Sequence, residues 1–347
     1  MRVILKPFSS RALALLLAAA LIISLCPALI SYAGPTEAET DKGQANYFDY
    51  NNISPERNIT KYPVEEITGV AVKGFKPYVF GLPDHDTQVW LNAGISEFYD
   101  AMAEGVTENT RQLEFSFETS VDGDIVTIIM YCARTALTTD RFVATRSFDR
   151  AASKPVTLGG LMGPNAAALI NKLIIADARK RPTKYNANFS GISENQGFRT
   201  NENGSEVILI FSDNEISPKK PELFEFAVNP GGVVNLGVTK DEYFATKDFN
   251  VKMIMLRSVA DAFGYELEWA PETQTVSVYK YEELISFFAA NINSYAQPGA
   301  QRRKLEAAPE IVNGRTYLPI SFYSEFFGLI YSIDADGTVW FSEYREK

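Results

Sequence analysis

The sequence predicts an α+β protein of two domains: an antiparallel sheet with helices on one face, followed by a duplicated strand-helix-hairpin module. Three observations lead there. Strand-like runs cluster together while stretches of helical period stand apart from them, as in folds with segregated elements. Residues 253–264, "MIMLRSVADAFG", and 315–328, "RTYLPISFYSEFFG", state one pattern twice. A glycine-rich break, "NPGGVVNLGV", separates the two regions.

The N-terminus bears on compartment. "MRVILKPFSSR" carries three basic residues and no acid, "ALALLLAAALIISLCPALI" is apolar, and "SYAG" offers small residues for cleavage after Ala33. That is the order of a secretory signal peptide over 1–33. An uncleaved anchor is the rival reading, because the apolar run approaches the length that spans a bilayer. Lipidation at Cys26 is disfavoured by Leu25, which stands where a small residue is expected. Either way the expected location is secreted or cell-envelope associated.

Three of the 33 basic residues leave with such a signal, so 30 remain against 43 acidic ones. That excess opposes binding to nucleic acid and to anionic lipid, and no membrane contact is expected beyond the signal segment. Cys132 would be the sole remaining cysteine, so stability must come from burial rather than disulfides. Residues 34–60 are polar and aperiodic and read as a flexible spacer.

The first domain is expected over 61–235. "VEEITGVAVKGFKPYVF" gives a strand region, and "TQVWLNAGISEFYDAMAEGV" a helix with Val89, Leu91, Ile95, Phe98, Met102 and Val106 near one face. Three strands follow, "LEFSFETSV", "DIVTIIMYCAR" and "DRFVATRSFD", the first two joined through an Asp-Gly turn. "GPNAAALINKLIIADARK" is a second helix with Ala167, Ile170, Leu173 and Ile174 inward, and a hairpin turns at Asn203-Gly204.

The second domain is expected over 236–347. Leu256, Val259, Ala260 and Phe263 sit at helical spacing, and Ile320, Tyr323, Ser324 and Phe327 repeat them 64 residues later. Gly264 and Gly328 close the helices, where a left-handed residue is least costly. A hairpin follows each glycine. Neither unit can bury its apolar face alone, so the two are expected to share one pseudo-symmetric core. "YEELISFFAANINSY" between them reads as an extra helix with Leu284, Phe287, Phe288 and Ile292 on one side.

Few residues invite chemistry. Asp84-His85-Asp86 follows Gly-Leu-Pro and reads as a solvated turn, and the chain holds one histidine, so no metal site is expected. Cys132 alternates with Val126, Ile128 and Met130 on one strand face, as a buried inert thiol would. The acidic pairs Glu65-Glu66, Asp122-Asp124 and Glu282-Glu283 are the raw material for a glycosidase, though turns account for them. For binding, alternation places Trp340 and Tyr344 outward, with Thr338 and Ser342, on "TVWFSEY", and Tyr279 and Tyr281 outward on "TVSVYKY". Were these strands neighbours, the four aromatics would form a face suited to stacking on sugar rings; cross-pairing within the sheet, or packing on the other domain, is the plainer alternative.

Two resemblances attach to these residues. "APEIVNGRTYLPISFYSEFFGLIYSIDADGTVWF" resembles the copper amine oxidase N-terminal-like domain, common in secreted and surface proteins of Gram-positive bacteria. Pro319, Glu325 and Gly328 match its pattern in the second unit, and Leu256, Arg257 and Gly264 in the first. Met255 departs from the family's proline and Ser321 from its second arginine. Copper amine oxidase chemistry itself needs three imidazoles, which one histidine cannot supply. The preceding region, through "RSFDRAASKPVTLGGLMG" and "FSGISENQGFRTNENGSEVILIFSDNEISP", resembles the envelope domain of lysozyme-sensing anti-sigma factors and of peptidoglycan deacetylases. Phe211, Glu215, Ile216 and Pro218 are the nearest matches; a glycine- and histidine-containing turn of that family is replaced by "ALTTDRF". Together they imply an exported, non-catalytic envelope protein without cofactor, binding a cell-wall glycan or an extracytoplasmic protein such as lysozyme. The rival expectation is a carboxylate-dependent hydrolase of wall glycans, or an accessory domain of wall modification.

Overall fold

A computed structural model describes residues 58–345, apart from 187–188, 219–221, 248–249, 291–293 and 300. The expected signal segment, nearly all of the spacer, and Ile292 lie outside the described residues. The protein is α+β, as the segregation of its elements predicts.

Six strands form the first sheet in chain order: β1 (Ile59–Pro63), β2 (Ala71–Val79), β3 (Gln112–Asp122), β4 (Ile125–Thr135), β5 (Thr139–Asp149) and β6 (Lys154–Val156). Helix α1 (His85–Glu104) connects β2 to β3. The sheet is not wholly antiparallel, because β2 and β3 run parallel. A twenty-residue helix supplies the long crossover that a parallel pair requires. Asp84 is the N-cap of α1 and accepts from the Thr87 backbone N–H at 3.2 Å. His85 is therefore the first residue of a helix, not part of a loose turn. The Thr87 hydroxyl hydrogen bond, with further help from backbone N–H groups, holds the Asp84 carboxyl below its ordinary range. Leu91, Ile95 and Phe98 pack on Val126, Ile128, Met130 and Cys132 of β4. Val89, expected inward, is half exposed because it lies some 200° around the helix from Leu91.

A second sheet, β7 (Phe198–Asn201), β8 (Glu206–Phe211) and β9 (Phe224–Val228), stacks on the other side of β3–β5. Strand β8 is buried on both faces. Val207, Leu209 and Phe211 meet Ile170 and Ile174 of α3 (Ala166–Lys180), which follows the short α2 (Leu158–Met162). Ile208 and Ile210 point the other way by alternation, toward the first sheet. Polar contacts stitch the stacked sheets: the Phe198 N–H donates to Thr145 Oγ1 at 2.8 Å, and Arg141 donates to both oxygens of the buried Asp213, at 2.7 and 3.1 Å. The helices thus lie outside two stacked sheets rather than on one face of a single sheet. A strand apolar on both faces, as "EVILIF" is, requires a layer on each side.

The remaining elements are β10 (Val233–Val238), β11 (Tyr243–Ala245), β12 (Lys252–Met255), α4 (Leu256–Phe263), β13 (Glu266–Ala270), β14 (Thr275–Lys280), β15 (Glu283–Ala289), β16 (Tyr295–Gln297), β17 (Arg303–Lys304), β18 (Glu310–Val312), β19 (Arg315–Pro319), α5 (Ile320–Phe326), β20 (Ile330–Ile333) and β21 (Val339–Tyr344). Each repeat is strand, helix, hairpin, as expected: β12-α4-β13-β14 and β19-α5-β20-β21. Their lead strands pair at the centre of a sheet ordered β11-β12-β19-β18. Ile254 pairs with Leu318, its own counterpart 64 residues on, so the pairing has the register of a two-fold. Leu256, Val259, Ala260 and Phe263 share one core with Ile320, Tyr323 and Phe327. Two tyrosines cross-link the units: Tyr323 donates to the Ile254 carbonyl at 2.8 Å, and Tyr265 to that of Phe327 at 3.0 Å.

The helix expected over "YEELISFFAANINSY" is instead strand β15, paired with β14. Tyr281 and Glu282 both adopt positive φ, 52° and 65°, the two-residue turn that matches hairpin twist. Neither residue type announces such a turn, and Ser286 and Phe288 face the core at period two.

The module also docks on α2 and α3. The Asn165 amide donates to the Trp340 carbonyl and to Ser342 Oγ, and Ser342 in turn donates to Asn235, at 3.2, 2.9 and 2.6 Å. Ser342, expected outward, is buried in this joint. The described residues form one compact unit.

Candidate functional site

The repeat builds two grooves. The first, of about 600 Å³, is walled by the start of α4 (Met255, Leu256, Arg257), by Leu267, Glu268 and Trp269 of β13 with Val276, and by the opposite unit's β18–β19 hairpin (Ile311, Gly314, Arg315, Thr316). Leu267 points into the module's core, and Trp269, two residues on, continues that face past its edge beside Val276. The indole is consequently 47% exposed. Arg257 and Arg315 are exposed and engage no ion pair or hydrogen bond among the described residues. Asn313 and Gly314, at φ 52° and 72°, turn the hairpin that presents Arg315.

The second groove, of about 500 Å³, is more open and is walled by Asn250, Val251, Lys252, Glu306, Ile320, Tyr331 and Ile333. Adding 64 to Leu256, Leu267 and Trp269 gives Ile320, Tyr331 and Ile333; subtracting it from Gly314, Arg315 and Thr316 gives Asn250, Val251 and Lys252. The two grooves are the same place seen from either unit. Each combines one unit's helix start and hairpin with the other unit's lead strand.

The four aromatics predicted as a binding face divide between two sheets. Strand β21 pairs with β10 and β20, whereas β14 pairs with β13 and β15. Trp340 lies over Gly237, where a Cβ would come within 3.1 Å of the indole, and its Nε1 donates to Asp334 at 2.7 Å. Tyr344 packs on the apolar cluster around α3. Tyr279 donates to Glu268 at 3.1 Å, and Tyr281 stands 85% exposed at its hairpin tip. Trp269 and Arg315 were not among the predicted residues; Arg257 entered only as a motif match. The repeat offset, applied to the hairpins as well as to the helices, is the signal that leads to them.

Of the acidic pairs, Glu65, Asp122 and Asp124 each engage separate partners. Glu65 reaches Lys76, Asp122 accepts the Asn203 and Gly204 backbone N–H groups, and Asp124 meets Arg150. Cys132 is fully buried, and burial pushes its thiol up to about 12. No cluster of three histidine, cysteine or acidic side chains placed to hold a metal occurs among the described residues.

Fold and site together define an α+β protein whose C-terminal module is an internal duplication carrying a groove with an exposed aromatic and two arginines that are unpaired among the described residues. Residues 247–340 of this module match the family described as the copper amine oxidase N-terminal domain. A curated relative, a "Protease inhibitor" from Brevibacillus choshinensis, is 27% identical over 126 residues, which are 34% of this chain and 35% of that one. The alignment thus spans about a third of that relative's length. Among solved structures, DUF3298 family proteins from Bacteroides fragilis and Pseudomonas aeruginosa each cover 49% of this chain, and 89% and 87% of their own. Both are 11% identical, with TM-scores of 0.33 and 0.31.

Proposed function

We propose that this is an exported, non-catalytic protein of the cell envelope that holds a cell-wall polymer in the first groove of its C-terminal module. Export rests on the N-terminal sequence. The observation that carries the binding reading is the groove itself: an apolar floor, an open indole and two guanidinium groups with no partner among the described residues. An exposed indole beside an apolar floor suits the face of a sugar ring, and unpaired guanidinium groups are available to oxygen acceptors. A hydrolase would need convergent carboxylates, whereas Glu65, Asp122 and Asp124 each meet a different partner.

The relative named as a protease inhibitor favours one second reading, an extracytoplasmic protein as partner. Pull-down of the purified protein on insoluble cell-wall material, with lysozyme and an extracellular protease offered in parallel, separates the two. The expected result is saturable wall binding, lost in Trp269→Ala with the thermal midpoint unchanged. Binding only to a soluble protein bait, or wall binding indifferent to Trp269, would overturn the groove as the site.

A further inference from the structure

The two grooves share a backbone plan and differ in chemistry, which makes each the control for the other. At the helix start, Arg257 of the first corresponds to Ser321 of the second, and Ser321 is buried. On the opposing lead strand Arg315 corresponds to Val251, and on the hairpin Trp269 corresponds to Ile333. The second groove holds one cation and one acid, Lys252 and Glu306, and the Lys252 ammonium lies 6.0 Å from the Tyr243 ring. The first holds two arginines against Glu268, whose carboxylate already accepts the Tyr279 hydroxyl. Two arginines, with no ion pair or hydrogen bond among the described residues, line one groove in a chain with an excess of ten acidic residues.

Taking the proposed wall-polymer reading as its basis, we infer that the first groove selects a polyanionic sugar or polyol chain, and that the second groove does not bind it. Arg257 and Arg315 approach from opposite units and meet anionic groups of the chain, while Trp269 lies against a ring or carbon backbone between them. Guanidinium pairs with carboxylate or phosphodiester oxygens are charge-assisted and directional, so they discriminate against a neutral chain of similar shape. The net negative charge of the protein disfavours a polyanion in general, so binding here relies on the local cations Arg257 and Arg315. The ligand's anion is a carboxylate or a phosphodiester; both present paired oxygens to a guanidinium fork.

The test is calorimetric titration of the purified protein with four probes: poly(glycerol phosphate), polygalacturonate, neutral chitohexaose and polyglutamate. Binding of one or both of the first two, at one segment per chain and well above chitohexaose, is expected; which of them binds identifies phosphodiester or carboxylate as the source. The repeat dictates the substitutions, since the same fold already carries the replacement at the equivalent position. Arg257→Ser and Arg315→Val should each weaken polyanion binding about tenfold, with Arg257→Lys retaining part of it. Lys252→Thr in the second groove should leave affinity and stoichiometry unchanged. Equal binding of chitohexaose, lost in Trp269→Ala but indifferent to both arginine changes, would overturn the anionic ligand and leave the groove as a neutral-glycan site. Tighter binding of polyglutamate than of either glycan would replace the sugar chain with an acidic peptide. Failure of all four probes overturns the inference, and if cell-wall pull-down fails as well the wall-polymer reading falls with it.

Discussion

The two units of the C-terminal module share one plan and differ in what their surfaces present. Both supply half of a shared core, both end their helix at a left-handed glycine, and both pair through equivalent residues, Ile254 with Leu318. Around that common frame the first unit keeps charge and an aromatic open to solvent. The second unit turns its last strand toward the rest of the protein, where Ser342 and the Trp340 carbonyl are tied to Asn165. Duplication is thus a folding device first, because each half completes the other's core. On the proposed reading it serves function second, because a doubled scaffold leaves one groove open while the other unit docks.

The largest effect that would test this comparison lies in the core. Phe263 and Phe327 are counterparts, the first fully buried and the second 6% exposed. Truncating either to alanine should cost about 3–5 kcal/mol in urea unfolding, because a large cavity opens in a close-packed cluster. If the units form one cooperative core, both variants should lower the midpoint in a single transition. A biphasic transition in either variant would mean that the halves unfold separately.

The joint provides a smaller effect confined to one unit. Asn165→Ala removes two hydrogen bonds to β21 and leaves the buried Ser342 hydroxyl without that donor, at a cost of about 1–3 kcal/mol. Ligand affinity of the first groove should not change, since every residue lining it lies away from the joint. A drop in both stability and affinity would show that docking of the second unit shapes the groove of the first.

What the sequence revealed and what it concealed follow the same division. The two helices and their glycines were legible because apolar spacing and a left-handed stop are local signals. Strand β15 was not, because its hairpin turns through Tyr281 and Glu282, residues that adopt positive φ only under the demand of the paired strands. The stacking of the two sheets was implied by "EVILIF" but needed the layers on either side to be seen. Tyr279, Trp340 and Tyr344 lie on strands and Tyr281 at a hairpin turn, and alternation does not say which strands are neighbours. The groove was hidden for that reason: Arg315 reaches Trp269's cavity across the two-fold, from a segment about fifty residues away in the chain.

The smallest effect concerns the glycines and sharpens the comparison most. Gly264 and Gly328 have nearly the same φ, 69° and 66°, and alanine at either should cost about 1 kcal/mol from the left-handed backbone alone. Their surroundings differ. A Cβ at 264 meets nothing within 4 Å, whereas at 328 it comes 3.9 Å from Lys172 Nζ, which donates to the Gly328 carbonyl at 2.8 Å. That contact is ordinary van der Waals distance to the mobile end of a side chain, so the steric addition is negligible. The two alanine variants should therefore lose stability equally in urea unfolding, within a few tenths of a kcal/mol. A larger loss at Gly328, abolished when Lys172 is changed to methionine, would show that the α3 lysine holds the second unit's turn in place. The joint would then extend beyond Asn165 to the helix end itself, and the second unit would be fixed to its neighbour at both ends while the first groove stays open.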